Sequence, residues 1–105
     1  MYNLGKGVDQ DYKTAVKWYR LAAKQGYADA QYNLGVMYET GQGVPQNYVF
    51  AHMWLNIAAS SGDDLITNLD SVKNRDSIAK RMNSAQLEKA KYLAGECIRK
   101  EYKGC

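Results

Sequence analysis

GQGVPQNYVFAHMWLNIAASSG, residues 41–62, restates a stretch the chain has already spelled at 5–26, GKGVDQDYKTAVKWYRLAAKQG. At an offset of 36, residues 2–26 match residues 38–62. Tyr2/Tyr38, Gly5/Gly41, Gly7/Gly43, Val8/Val44, Gln10/Gln46, Tyr12/Tyr48, Ala15/Ala51, Trp18/Trp54, Ala22/Ala58, Ala23/Ala59 and Gly26/Gly62 all agree. A fixed period in the range of about 20–50 residues marks a solenoid, in which each unit buries its apolar face only by stacking on its neighbour.

The unit is a pair of helices. Asp11 and Asn47 can each cap a helix by accepting from an unpaired amide of the first turn. Ala15, Trp18 and Ala22, with their counterparts Ala51, Trp54 and Ala58, then follow at i, i+3 and i+7, which is a helical stripe. Gly26 and Gly62 stand where a left-handed C-terminal residue is wanted. Helices are therefore predicted over 11–25 and 47–61. Ahead of the second, ADAQYNLGVMYETG places Ala30, Leu34 and Tyr38 on one face of a further helix over 28–40. The small residues Gly35, Ala22 and Ala23 allow close helix approach, and Trp18 and Trp54 are expected as core residues.

The pattern A-x-x-x-L-G-x-x-Y-x-x-G-x-G-V, followed by a capped helix with A-x-x-W and A-A-x-x-G, resembles the Sel1-like repeat, a relative of the tetratricopeptide repeat. Ala30, Leu34, Gly35, Tyr38, Gly41, Gly43, Val44, Ala51, Trp54, Ala58, Ala59 and Gly62 carry the match. The first copy supplies Tyr2, Gly5, Gly7, Val8, Asp11, Ala15, Trp18, Ala22, Ala23 and Gly26 but lacks almost all of its first helix, so the chain is expected to begin inside a repeat. The resemblance implies an all-α fold, a right-handed superhelix of antiparallel helix pairs. Its repeats occupy 1–62 and a C-terminal capping pair occupies 63–105.

In that last segment Leu65, Leu69, Val72, Ala79 and Met82 mark the expected core face of a helix over 64–82. Asn83 with Gln86 reads as a capping-box variant. Leu87, Ala90, Ala94 and Cys97 continue a final helix over 84–102 whose outer face, Lys89, Glu96, Lys100 and Lys103, would end the stack. Cys97 and Cys105 are the only cysteines. Their spacing is compatible with a bridge if the tail folds back, with a buried free Cys97 beside an unpaired Cys105, or with an intermolecular link. A bridge would imply an oxidising compartment. Similar cysteine-ending tails occur in secreted or periplasmic members of the resembled family, which implies that location here.

Composition excludes several functions. Of 105 residues, 46% are hydrophobic and 24% charged, as in an ordinary single globular domain. Nine tyrosines against one phenylalanine suit narrow helix seams, where a ring is buried and its hydroxyl keeps a partner. The net charge is +3, and the excess of Lys and Arg lies in residues 73–105. A solvated helix face accounts for it better than a nucleic-acid partner. No apolar run approaches the roughly 18 residues of a membrane span, and no signal peptide is visible. One histidine and no second cysteine pair leave no metal set, and no cofactor is implied. His52 has no evident partner for catalysis, neither cysteine has a base beside it, and Asp63–Asp64 reads as a helix start. The Gly-x-Gly loops are turns rather than phosphate cradles, because no G-x-x-x-x-G-K motif accompanies them.

What the repeat leaves unexplained is the far face of the helix over 28–40: Asp29, Tyr32, Asn33, Val36 and Thr40, with Asn56 on the next helix. First helices of stacked pairs line a concave surface that holds ligands. These residues are the candidate partner-binding set, against the simpler reading that they pack on a neighbouring helix. The resemblance implies a non-enzymatic adaptor with a peptide or protein partner. Two alternatives stand beside it. Some bacterial members are described as handling β-lactams or cell-wall fragments. A self-associating solenoid could also use Tyr2, Leu4 and the flank of the first helix.

Overall fold

The computed structural model describes residues 9–61, 65–103 and 105. Gly5, Gly7, Gly62, Tyr2, Leu4, Asp63 and Asp64 lie outside the described residues. Among the described residues five helices follow one another: α1 (Asp9–Lys24), α2 (Ala28–Thr40), α3 (Tyr48–Ser61), α4 (Leu65–Ala79) and α5 (Ser84–Arg99). The chain is an all-α repeat solenoid, as the repeat period requires.

Caps account for the boundaries. After α1, Gly26 takes φ +94°, the Gly26 N–H donates to the Ala23 carbonyl (3.0 Å), and the Tyr27 N–H reaches back to Ala22 (3.3 Å). This is a Schellman closure, and it needs a residue without a Cβ penalty at positive φ. Buried Gln31 ties the turn to α2 by donating from Nε2 to the Ala23 carbonyl at 3.1 Å. Asn47 caps α3, its Oδ1 accepting from the Phe50 amide at 3.0 Å. At α5 the capping box is complete: Asn83 Oδ1 accepts from the Gln86 amide (2.8 Å), and Gln86 Oε1 from the Asn83 amide (3.0 Å). The predicted cap Asp11 is displaced. α1 starts at Asp9, which puts Asp11 inside the first turn.

α3 is the hub. Ala51, Met53, Trp54, Leu55, Ile57 and Ala58 are all buried, so its apolar side chains project in every direction. A helix apolar all round must be wrapped, and α2, α4 and α5 all pack on it. α2 comes closest: a Cβ on Gly35 would sit 2.8 Å from Leu55 Cγ and 3.2 Å from the Ala51 carbonyl oxygen. Two buried clusters result. One joins Ala15, Val16, Leu34, Met37, Trp54, Ile57, Ala94 and Cys97. The other joins Ala51, Leu55, Ile78, Met82 and Ala90. Met82 and Ala90 meet over α3, but along their lengths α4 and α5 pack on α3 rather than on each other.

Two sequence expectations fail. Trp54 is buried at 1% exposure, whereas Trp18 is 66% exposed. Trp54 is enclosed by Tyr38 from α2, Leu93 from α5 and Cys105 from the tail. The repeat equivalent of Tyr38 is Tyr2, outside the described residues, and α1 packs chiefly on α2. Equal repeat position therefore does not mean equal cover. The core face of α4 is also rotated. Leu69 is 56% exposed, Val72 and Ala79 are only half-buried, and the side chain of Leu65 lies outside the described set. Thr67, Ser71 and Ile78 are buried instead, at i, i+4 and i+11. Met82, just past the helix, is buried as expected.

The tail beyond α5 folds back and the chain closes it covalently. Cys97, 2% exposed, is bonded to Cys105, with Cα atoms 5.8 Å apart. The Tyr102 N–H donates to the Cys97 carbonyl at 2.7 Å, and its ring lies 3.4 Å from the position of a Cβ on Gly26. The polar exterior of α5 is present: Lys89, Lys100 and Lys103 are exposed, and half-buried Glu96 accepts from Arg99 Nη2 at 2.6 Å.

The contrast between the two tryptophans is measurable. In urea unfolding, Trp54→Ala should cost roughly 3–5 kcal/mol, the usual toll for deleting a large buried aromatic. Trp18→Ala should stay within about 0.5 kcal/mol, as surface substitutions do. Equal losses would place both rings in the same environment.

Candidate functional site

α2 turns one face toward α4, and the candidate residues divide along that seam. Asp29, exposed in the first turn of α2, accepts at Oδ1 from the Thr67 hydroxyl at 2.7 Å. Tyr32 is half-buried against the Ala51–Leu55–Ile78 cluster, and its hydroxyl accepts from Asn74 Nδ2 at 3.4 Å. On α3, half-buried Asn56 accepts at Oδ1 from Arg75 Nη1 at 3.0 Å. These three residues therefore join α2 and α3 to α4. The other three do not. Asn33 Nδ2 donates to the carbonyl of Asp29 within α2 (2.8 Å). Thr40 closes the last turn by donating to the Val36 carbonyl (3.0 Å). Val36 is half-buried, with no polar atom to satisfy.

Sequence reasoning missed the α4 side of the seam: Thr67, Ser71, Asn74 and Arg75. The signal was present. Residues 67, 71, 74 and 78 follow i, i+4, i+7 and i+11, the spacing of one helical face. It was hidden because its members are polar while the rotated face carries Leu69 and Val72. Polar residues suit this seam because α2 presents a carboxylate and a hydroxyl to it and α3 an amide.

His52 lies on α3, one turn before Asn56, at 3% exposure. Burial lowers its pKa from the ordinary imidazole value; the positive charges of Arg75 and Lys91 lower it further, and Asp76 opposes them. Its Nδ1 has no hydrogen-bond partner, nor does the Oγ of buried Ser71. The ring is a neutral core side chain flanked by cations from α4 and α5. Among the described residues no group of three or more His, Cys, Asp or Glu side chains could hold a metal ion. No helix among them is long and apolar enough to cross a membrane.

The pH dependence of stability follows from His52. The unfolded chain takes up its proton near pH 6.5, while the folded chain resists it. Below that pH the unfolded state binds more protons, and stability falls as pH drops until the folded-state pKa is passed. Chemical-denaturation midpoints should therefore decline as pH is lowered through about 6.5. His52→Gln should flatten this portion of the profile, and an unchanged slope would locate the titrating group elsewhere.

With this geometry in hand, the comparisons with known proteins are informative. The family model for the Sel1 repeat matches residues 1–27 and 28–63. No curated protein matches the chain. Among solved structures, the chain is similar to the crystal structure of a protective antigen present in uropathogenic Escherichia coli strains and displaying an SLR fold. The two share 35% identity with a TM-score of 0.79 over 93% of this chain and 21% of that one. The chain thus spans about a fifth of the antigen's length.

Proposed function

Because the chain belongs to the Sel1 repeat family, whose fold is generally a non-catalytic protein-interaction scaffold, we propose that it is an interaction module whose α2–α4 face receives a peptide or partner domain. The observation that carries this reading is the division within the seam. Asp29, Tyr32 and Asn56 are tied to α4, which makes the platform rigid. Asn33, Val36 and Thr40 remain beside it on one face of α2; Asn33 bonds only within the helix, and Thr40 within it and to Gln42 just beyond. A rigid support with a few adaptable groups is how binding surfaces avoid the entropic cost of ordering. Tyr32, half in the core, supports the face, while Asn33 and Val36 make the contact. The disulfide in the tail supports an extracytoplasmic setting, where such bonds persist, and the Escherichia coli neighbour is compatible with a bacterial source.

The test is affinity capture from bacterial envelope extract, quantified by mass spectrometry, with the wild-type chain and with Val36→Glu/Asn33→Ala. The double variant should melt within about 3 °C of wild type, as surface changes of a few tenths of a kcal/mol do. It should also lose at least roughly 90% of the captured partner, a factor of ten or about 1.4 kcal/mol. Full retention of the partner moves binding off this face.

One observation also favours self-association: Trp18 and Leu21, at 66% and 57% exposure, lie on the outer side of α1. Multi-angle light scattering over a concentration series should then show mass rising with concentration, and Trp18→Lys should abolish the rise. A constant monomer mass removes this reading.

A further inference from the structure

On the side of α3 opposite His52 and Asn56, the side chains of Phe50, Met53 and Trp54 enter an apolar pocket of about 250 Å³. Tyr38 of α2, Leu93 of α5 and Cys105 of the tail complete its wall. The Cys97–Cys105 bond fixes that tail to α5. Among the described residues no charged side chain lines the recess. An apolar cavity of about 150 Å³ stays dry and takes up benzene, so this volume accommodates a phenyl or indole ring. Tyr38 and Phe50 already meet edge to face, their centroids 5.4 Å apart, in the geometry a further ring would extend.

The rim is basic. Arg20 of α1 stands 5.9 Å above the Tyr38 ring and donates from Nη2 to its hydroxyl at 3.1 Å. It belongs to a stripe, Lys13, Lys17, Arg20 and Lys24, spaced i, i+4, i+7 and i+11 along one face of α1. The two salt bridges among the described residues, Arg75–Asp76 and Arg99–Glu96, do not involve it. A row of cations with no carboxylate partner among the described residues, beside a ring-sized apolar recess, has a definite complement.

We propose that the pocket and the α1 stripe form a second recognition site, for an acidic segment of a partner protein that seats one aromatic side chain beneath Tyr38 and Phe50 and lays its carboxylates along Lys13, Lys17, Arg20 and Lys24. A protein segment fits better than a nucleic acid, because the apolar surface is one recess and not a row of stacking faces. The site shares no residue with the α2–α4 face, so each can fail alone.

The experiment is an NMR titration of the intact, oxidised chain with four probes: the blocked peptide Asp-Glu-Phe-Glu-Asp, its Phe-to-Ala analogue, the basic peptide Lys-Lys-Phe-Lys-Lys, and a ten-nucleotide single-stranded DNA. The acidic Phe peptide should shift the Met53 and Leu93 methyl signals and bind at least about tenfold tighter than the Ala and Lys peptides. Its affinity should fall as salt is raised, since the stripe is exposed. Two surface variants avoid disturbing the core: Phe50→Ala and Lys17→Glu should each weaken binding roughly fivefold or more. Equal binding of the Phe and Ala peptides overturns the seated ring. Displacement of the acidic peptide by the DNA overturns the choice of partner. Shifts confined to Asn33 and Val36 would favour the α2–α4 face and overturn this site, and no shift up to about 5 mM peptide overturns it outright.

Discussion

The close approach of α2 to α3 at Gly35 is the contact on which the rest of the structure depends. With hydrogen in place of a methyl at that position, the Leu55 side chain and the Ala51 carbonyl lie against the α2 backbone. Interiors are packed too tightly to absorb an added methyl there without displacement. Ile78 of α4 joins α2 at the Ala51–Leu55 edge, and α5 packs on α3 with Ala94 and Cys97 in the cluster of Trp54 and Ile57.

This explains why the C-terminal helices do not form a further closed hairpin. α4 and α5 are recruited separately by different sides of the same helix. His52 occupies the stretch of α3 between them, where it feels the charges of both Arg75 and Lys91. A neutral ring tolerates that position and a protonated one would not, because burial and two nearby cations both oppose the charge. The disulfide then has a clear mechanical role. It returns the tail across α5 to the Trp54 side of α3, so that Cys105 and Tyr102 close a flank that no further repeat covers among the described residues.

The two faces of the module differ in character for the same reason. Toward α4, the seam is polar and hydrogen bonds cross it, as between Tyr32 and Asn74 or Asn56 and Arg75. On the Trp54 side the side chains are large and apolar and do not fill the space among three elements, leaving the recess beneath Tyr38. Scaffolds of stacked helix pairs offer extended surfaces rather than a deep cleft, and here one surface is rigid and hydrogen-bonded while the other is apolar and bordered by cations.

The sequence by itself determined the helix pairs, their turns and their caps, because these are local: a glycine at Gly26, an acceptor at Asn47 and a box at Asn83–Gln86 act on residues within one turn. It also placed the α2 face on which Asp29, Tyr32 and Val36 lie, since a helix period of 3.6 assigns faces without reference to neighbours. Tertiary structure alone decided which repeated residues are covered. Trp18 and Trp54 hold one repeat position, yet only the second has Tyr38, Leu93 and Cys105 around it. Tertiary structure decided the rotation of α4 as well: the carboxylate that α2 offers favours burying Thr67 over Leu69. Burial is a property of what stands opposite, and periodicity describes only the helix that carries the residue.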